Sequence, residues 1–207
     1  MSIEIRETLR FLQQENVRLQ KENQELHAEV VLLREIIDAL RALQEITASI
    51  DVDTNVYQLL DRILQSALVS IGASDGSLLL VDDEANELAF VVVYGAVRES
   101  LKGYRMPIGT GIAGWVAEHG EATIIPNVRL DPRFSEQVDR SFQFNTRSLV
   151  CVPMITDSKV LGVIQALNKA NGEEFSKTDL TLLGVVAQLA ATAIAKAEAV
   201  APSEEPA

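Results

Sequence analysis

The stretch SLVCVPMITDSKVLGVIQALNK, residues 148–169, decides the fold. Its apolar runs, 148–155 and 160–169, flank Asp157-Ser158, and this spacing predicts an antiparallel hairpin. The same pattern occurs upstream in SLLLVDDEANELAFVVVYG, residues 77–95, around the turn Asp82-Asp83-Glu84-Ala85-Asn86. Between the hairpins, GIAGWVAEHG (111–120) reads as a short helix with glycines at both ends. ATIIP (122–126) reads as a short strand. Helical periodicity brackets the set. In VYQLLDRILQSALVSIG (56–72), Val56, Leu59, Leu60, Ile63, Leu64, Ala67 and Leu68 share one side, and Gly72 ends the helix. FSKTDLTLLGVVAQLAATAIAKAEA (175–199) is a long final helix, capped by Ser176 with Asp179 three residues on, close to a capping box. Hairpins of tight turns with flanking helices predict an α+β fold with an antiparallel sheet.

Residues 127–147 carry no periodicity. A loop of that length inside a compact domain is functional or disordered. This one holds Phe134, Phe142 and Phe144, half of the six phenylalanines, and is therefore expected to be a wall or lid over a cavity.

The N-terminal segment follows another rule. Leu12, Leu19, Leu26, Leu33 and Leu40 recur every seven residues, interleaved with Leu9, Asn16, Asn23, Val30 and Ile37. This is the a/d pattern of a coiled coil, and Leu at d with Val and Ile at a favours two parallel strands. Asn16 and Asn23 at a trade stability for a fixed register in a parallel homodimer. Glu29 can meet the partner's Arg34, and Glu22 the partner's His27. After Leu40 the seam passes to Leu43, Ile46 and Ile50, a register shift where the coil meets the domain. The expected organisation is a coiled coil over 1–45, a sensory domain over 46–199 and a disordered acidic tail over 200–207.

Charge and composition narrow the function. The net charge of −12 and pI near 4.6 oppose binding to a phosphate backbone. The residues before the zipper, MSIEIRET, lack the basic arm of a zipper-type DNA reader. The start shows no signal-peptide pattern, and no uninterrupted apolar run reaches the roughly 18 residues of a membrane span. A cytoplasmic protein with no nucleic-acid or membrane partner is expected. The single cysteine, Cys151, suits a reducing compartment.

Two motif matches fail on context. Gly109, Gly111 and Gly114 fit G-x-G-x-x-G, but no βαβ unit surrounds them. Gly72-Ala73-Ser74-Asp75-Gly76 fits G-x-S-x-G, but runs helix to strand rather than strand to helix, so a plain turn is expected. Two isolated histidines and one cysteine form no metal-ligand pattern.

Residues from about Ser77 to Asp179 resemble a GAF domain, the ligand-sensing module of many signalling proteins. The resemblance rests on Gly111 to Ala117, Ile125-Pro126-Asn127, Asp131-Pro132-Arg133-Phe134, Thr146 to Pro153, and Gly162 to Lys169. Within the family the chain is most similar to the cyclic-nucleotide-binding type, which carries Asn-Lys, then Phe, three residues, then Asp-Glu. Here these are Asn168-Lys169, Phe175 and Asp179, with Leu180 in place of Glu. The resemblance implies a structural ion pair between Lys169 and Asp179. It also implies a ligand pocket formed by Ser77, Tyr94, Ile112, Ala113, Asp139, Phe142, Thr146 and Gln165. Ile112 and Ala113 would offer backbone N–H groups to an anion. At Gln165 the family often has an acidic residue, and at Phe142 a small polar one. Ordinary core packing is the alternative for each apolar member. Cys151 lies in a strand rather than in the Cys-His loop of phytochrome-type chromophore anchors. The free methionine sulfoxide reductases of this fold need several cysteines, so Cys151 reads as a buried apolar residue.

The expected function is a non-catalytic signal-transduction module. A small ligand, with cAMP or cGMP as candidates, closes the 127–147 lid, and the dimeric coil relays the change to a separate signalling output protein. The alternative is a dimerisation or scaffold module whose pocket is collapsed around its phenylalanines. No constellation of residues supports an enzyme.

Overall fold

The computed structural model describes residues 3–49, 56–96, 98–157 and 159–200. The chain divides into two units, residues 1–40 and 41–207.

Helix α1 (Ile3–Ser49) is unbroken, as a stretch without Gly or Pro favours. Ion pairs run along its surface, with Arg18 on Glu15 and Glu22 and Lys21 on Glu25. Its seam residues Leu12, Leu19, Leu26, Val30, Leu33 and Ile37 are 46–59% exposed in the single chain. The side chains of the expected register shift, 38–50, and the tail 201–207 lie outside the described residues.

In the second unit the elements follow as α2 (Val56–Ser70), β1 (Ala73–Asp82), β2 (Glu87–Tyr94), α3 (Arg98–Leu101), β3 (Arg105–Pro107) and α4 (Gly111–His119). Then come β4 (Thr123–Ile125), a 3-10 turn (Val128–Leu130), α5 (Glu136–Phe142), β5 (Leu149–Thr156), β6 (Lys159–Lys169) and α6 (Lys177–Val200). The strands form one antiparallel sheet in the order β3-β2-β1-β6-β5-β4. The sheet with flanking helices is the α+β architecture that the hairpin spacing predicts. Each hairpin turns where the apolar runs break. Asn86 and Asp157 take the left-handed conformation there, with φ of 54° and 46°, which these short polar side chains tolerate.

The core has two sides because strand side chains alternate. A Cβ at Gly76 would meet Leu68 of α2 at 2.6 Å, so this side of β1 faces α2. Leu78 and its partners Val92 and Ile164 share that side. Leu64 and Leu68 of α2 and Leu183 of α6 are fully buried, each contributing about 1.5–3 kcal/mol. The window Lys177–Ala199 is long and apolar enough, by length and composition only, to cross a membrane, with 39% of it buried. Its packing on β5, β6 and α2 accounts for that composition.

The other side carries Ser77, Leu79, Phe90, Val93, Cys151, Val163 and Gln165, covered by α4 and the segment from the 3-10 turn to α5. A β-bulge shifts the alternation of β2 on this side. Leu78 pairs with Val92 but Leu79 with Phe90, leaving Val91 unpaired.

Three features differ from the sequence expectation. Residues 127–147 are not a structureless loop, because they contain the 3-10 turn and α5. The short elements α3 and β3 form where no element was expected. Strand β1 begins at Ala73, so the turn after α2 is made by Ile71 and Gly72 and residues 73–76 already pair in the sheet.

Candidate functional site

A cavity of about 80 Å³ lies between the second side of the sheet and the helices α4 and α5. Phe90 of β2, Leu149 of β5 and Gln165 and Leu167 of β6 line its floor. The first turn of α4 supplies Gly111, Ile112 and Ala113. The lid segment supplies Phe134, Val138, Asp139, Phe142, Phe144 and Thr146, among others. Six of the eight residues expected in the pocket are therefore together: Ile112, Ala113, Asp139, Phe142, Thr146 and Gln165.

Ser77 and Tyr94 are placed differently. Ser77 is buried on the same side of the sheet beside Gln165, where its Oγ accepts a hydrogen bond of 2.8 Å from Gln165 Nε2. It is not a lining residue but the support that orients one. Tyr94 pairs with Gly76, which faces α2, so Tyr94 lies on the opposite side of the sheet from the cavity. The bulge at Val91 is the cause. Without that extra residue, the alternation from Leu88 and Phe90 would carry Tyr94 to the cavity side.

The polar lining residues are held by the protein's own groups. Asp139 is 7% exposed. Its Oδ1 accepts the Thr146 hydroxyl at 2.7 Å, and its Oδ2 accepts the Thr146 N–H at 2.9 Å. Arg129, on the 3-10 turn, donates to Asp139 at 3.4 Å and to Asn145 at 3.1 Å, and also bonds Glu136. Its guanidinium lies 5.2 Å from the Phe134 ring centre. Hydrogen bonds from Arg140, then Arg129, hold the Glu136 carboxyl below the usual carboxylate range. Arg129 thus ties the first half of α5 to Asn145 in the segment that follows it. Asn168, left-handed at φ 52°, accepts from the Arg147 N–H at 2.8 Å and donates to the Asn145 carbonyl at 3.0 Å.

At the mouth of α4, the Thr110 side chain makes no cap hydrogen bond, and the first N–H groups of a helix have no intrahelical partner. Gly120 ends the helix left-handed at φ 68°, its N–H bonded to the Val116 carbonyl. Outside the cavity, Arg133 stacks on Trp115 at 4.4 Å and pairs with Asp131 at 2.7 Å.

Lys169 Nζ lies 2.8 Å from Asp179 Oδ2, with side-chain exposures of 15% and 9%. The same carboxylate accepts the Ser176 N–H at 2.6 Å and its hydroxyl at 2.9 Å. The Ser176 hydroxyl oxygen in turn accepts the Asp179 N–H at 3.1 Å. One carboxylate therefore joins the end of β6 to the start of α6. Cys151 is fully buried opposite Gln165, and burial pushes its thiol far up. A thiol so placed is not a nucleophile at neutral pH.

Sequence reasoning missed Arg129, Asn145 and Asn168 as the groups that hold the lid. Asn168 stands beside the recognised Lys169, so its position was visible but its bonding was not. Arg129 and Asn145 carried no signal in spacing.

The comparisons identify the family of this α+β domain. The GAF domain profile matches residues 55–194, and the chain belongs to this family. It is 32% identical over 171 residues to a dual 3',5'-cyclic-AMP and -GMP phosphodiesterase 11A of Takifugu rubripes, covering 78% of this chain and 19% of that protein. It is 35% identical over 158 residues to a dual phosphodiesterase 11 of Drosophila melanogaster, covering 69% of this chain and 11% of that protein. The chain thus spans a fifth or less of these relatives. Among solved structures, the GAF domain of a Coxiella burnetii phosphoenolpyruvate-protein phosphotransferase superposes with a TM-score of 0.67 at 21% identity, covering 79% of this chain and 96% of that one. A free methionine-R-sulfoxide reductase of Neisseria meningitidis superposes at 0.63 with 20% identity, covering 78% and 88%. At these identities the structures show the shared fold alone.

Proposed function

We propose that this GAF domain is a non-catalytic signal-transduction module that binds a small ligand in the cavity, with cAMP and cGMP as the candidates. The observation that carries the reading is the half-open cavity beneath a lid held by the Asp139–Thr146 contact. The similarity to phosphodiesterases whose names specify both cyclic nucleotides supports that ligand class. Small-molecule pockets generally measure about 300–1,000 Å³. At about 80 Å³ the cavity admits a nucleotide only if α5 moves outward. The deeply buried Cys151 thiol is unavailable as a nucleophile.

In this reading residues 1–45 form a parallel homodimeric coiled coil, residues 46–199 the sensory domain, and the remainder a tail. The exposed heptad seam of α1 supports the dimer. Lid movement reaches the coil, which relays it in the cytoplasm to a separate output protein.

A second reading has its own observation. Phe134, Phe142 and Phe144 all crowd the cavity, as a collapsed pocket in a dimerisation scaffold requires. Calorimetric titration of the full chain with cAMP and with cGMP separates the two. Saturable heat at one site per chain supports the sensor. No binding at high micromolar nucleotide removes both candidates and favours the scaffold.

A further inference from the structure

Phe142 is the last residue of α5 and lines the cavity. Its ring meets Tyr104 edge to face, with centroids 5.3 Å apart and planes at 84°. Tyr104 in turn meets Phe90, a floor residue, at 6.0 Å and 54°. These separations lie in the favourable range for aromatic pairs. The space left beside the ring, about 80 Å³, is smaller than the roughly 150 Å³ apolar cavity that takes up benzene. A phenyl ring of the protein already occupies the aromatic part of the pocket.

The attachment of that ring is distinctive. Asp139, three residues earlier on α5, makes the bonds to Thr146. Residues three apart on a helix share a face, and both side chains line the cavity. Directly after Phe142, Gln143 takes the left-handed conformation at φ 52°, ψ 35°, which is uncommon outside glycine and short polar residues. Ring, latch and left-handed joint fall within residues 139–146.

We infer that Phe142 is a built-in plug, and that the ligand is a molecule with a planar aromatic or heteroaromatic ring that replaces the phenyl group against Tyr104. The polar edge of the incoming ring meets Gln165 and Thr146, two of the hydrogen-bonding side chains of the lining. This inference rests on the ligand-sensing reading of the same cavity. Because Phe142 and Asp139 share one short helix, expelling the ring withdraws Asp139 from Thr146. Ligand entry and lid release become one event. The plug lowers apparent affinity by the fraction of molecules in which the ring is out, so removing the ring restores it.

The test uses the full chain as wild type, Phe142→Ala and Phe142→Leu, with indole as the aromatic probe followed by ligand-observed NMR. Circular dichroism confirms folding, and Phe142→Leu keeps apolar bulk at the site should the alanine variant fail to fold. The expected result is indole affinity at least tenfold higher in Phe142→Ala than in wild type, with a smaller gain in Phe142→Leu. In wild type, saturating indole also speeds hydrogen exchange at the Thr146 amide. Equal indole affinity across the folded proteins, no indole binding to the folded variants, or unchanged Thr146 exchange at saturation overturns the plug. Titration with cAMP and cGMP separates it from the broader reading. Nucleotide binding equal in wild type and Phe142→Ala overturns the plug while leaving the sensor standing. Indole uptake by Phe142→Ala without nucleotide binding supports the plug and removes the nucleotides as ligands.

Discussion

Asp139 closes on Thr146 with two hydrogen bonds, one to the hydroxyl at 2.7 Å and one to the backbone N–H at 2.9 Å. Both residues are buried, so the pair is the inner fastening of the lid. Thr146→Val keeps the shape and the backbone bond but loses the hydroxyl. A hydrogen bond to a charged group is worth about 1.5–3 kcal/mol, and a loss in that range is expected in urea unfolding. Hydrogen exchange over residues 136–146 is expected to rise with it, and unchanged exchange would show that the lid is held elsewhere.

Lys169 and Asp179 join the last strand to the last helix. Removing one member of a buried pair costs about 3–5 kcal/mol, largely because the other charge is stranded. Lys169→Met is expected near the lower end, since Ser176 still donates to the Asp179 carboxylate. Chemical denaturation of the single variants and of Lys169→Met with Asp179→Asn measures the coupling. Simple additivity of the two single losses would contradict the pair.

The Asp131 carboxyl is held below its ordinary value, first by the side-chain hydrogen bond from Arg133. A depressed folded-state pKa gives stability that is present above the unfolded value, near 3.9. That stability is lost as the pH falls through the folded value. The advantage of wild type over Asp131→Asn is therefore expected to be constant above about pH 5 and to shrink in more acid solution. Unfolding curves from pH 3 to 7 check this, and a gap that widens on acidification would reverse the sign.

Cys151 is fully buried, and its thiol is pushed far above its ordinary value. The folded protein is expected to resist a thiol reagent at pH 8 and to react with one equivalent per chain after denaturation. Rapid labelling of the native protein would show that β5 opens.

The seam of α1 supports a prediction about assembly. Wild type is expected to sediment as a dimer at micromolar concentration, and Leu19→Lys with Leu26→Lys as a monomer. Replacing Asn16 and Asn23 by Val is expected to raise stability while mixing oligomeric states. A monomeric wild type at that concentration would remove the coil.

How much was legible in the sequence depended on the range of the forces involved. The hairpins at 77–95 and 148–169, helices α2, α4 and α6, and the heptads of α1 were all readable. Each is set by local periodicity or by turn and cap residues such as Gly120 and Ser176. The motifs carried by resemblance placed six of the eight pocket residues on one cavity. What stayed hidden was non-local or too short to show a pattern. Helix α5 spans seven residues, about two turns, and depends on Arg129 and Thr146 to hold it. Tyr94 lies on the side away from the cavity because a one-residue bulge reverses the alternation beyond it. By itself, then, the sequence determined the longer elements, the family and the heptad seam. Only the tertiary structure decided which side chains face the cavity and that Phe142 lines it, because register and lid closure arise from contacts between segments distant in the chain.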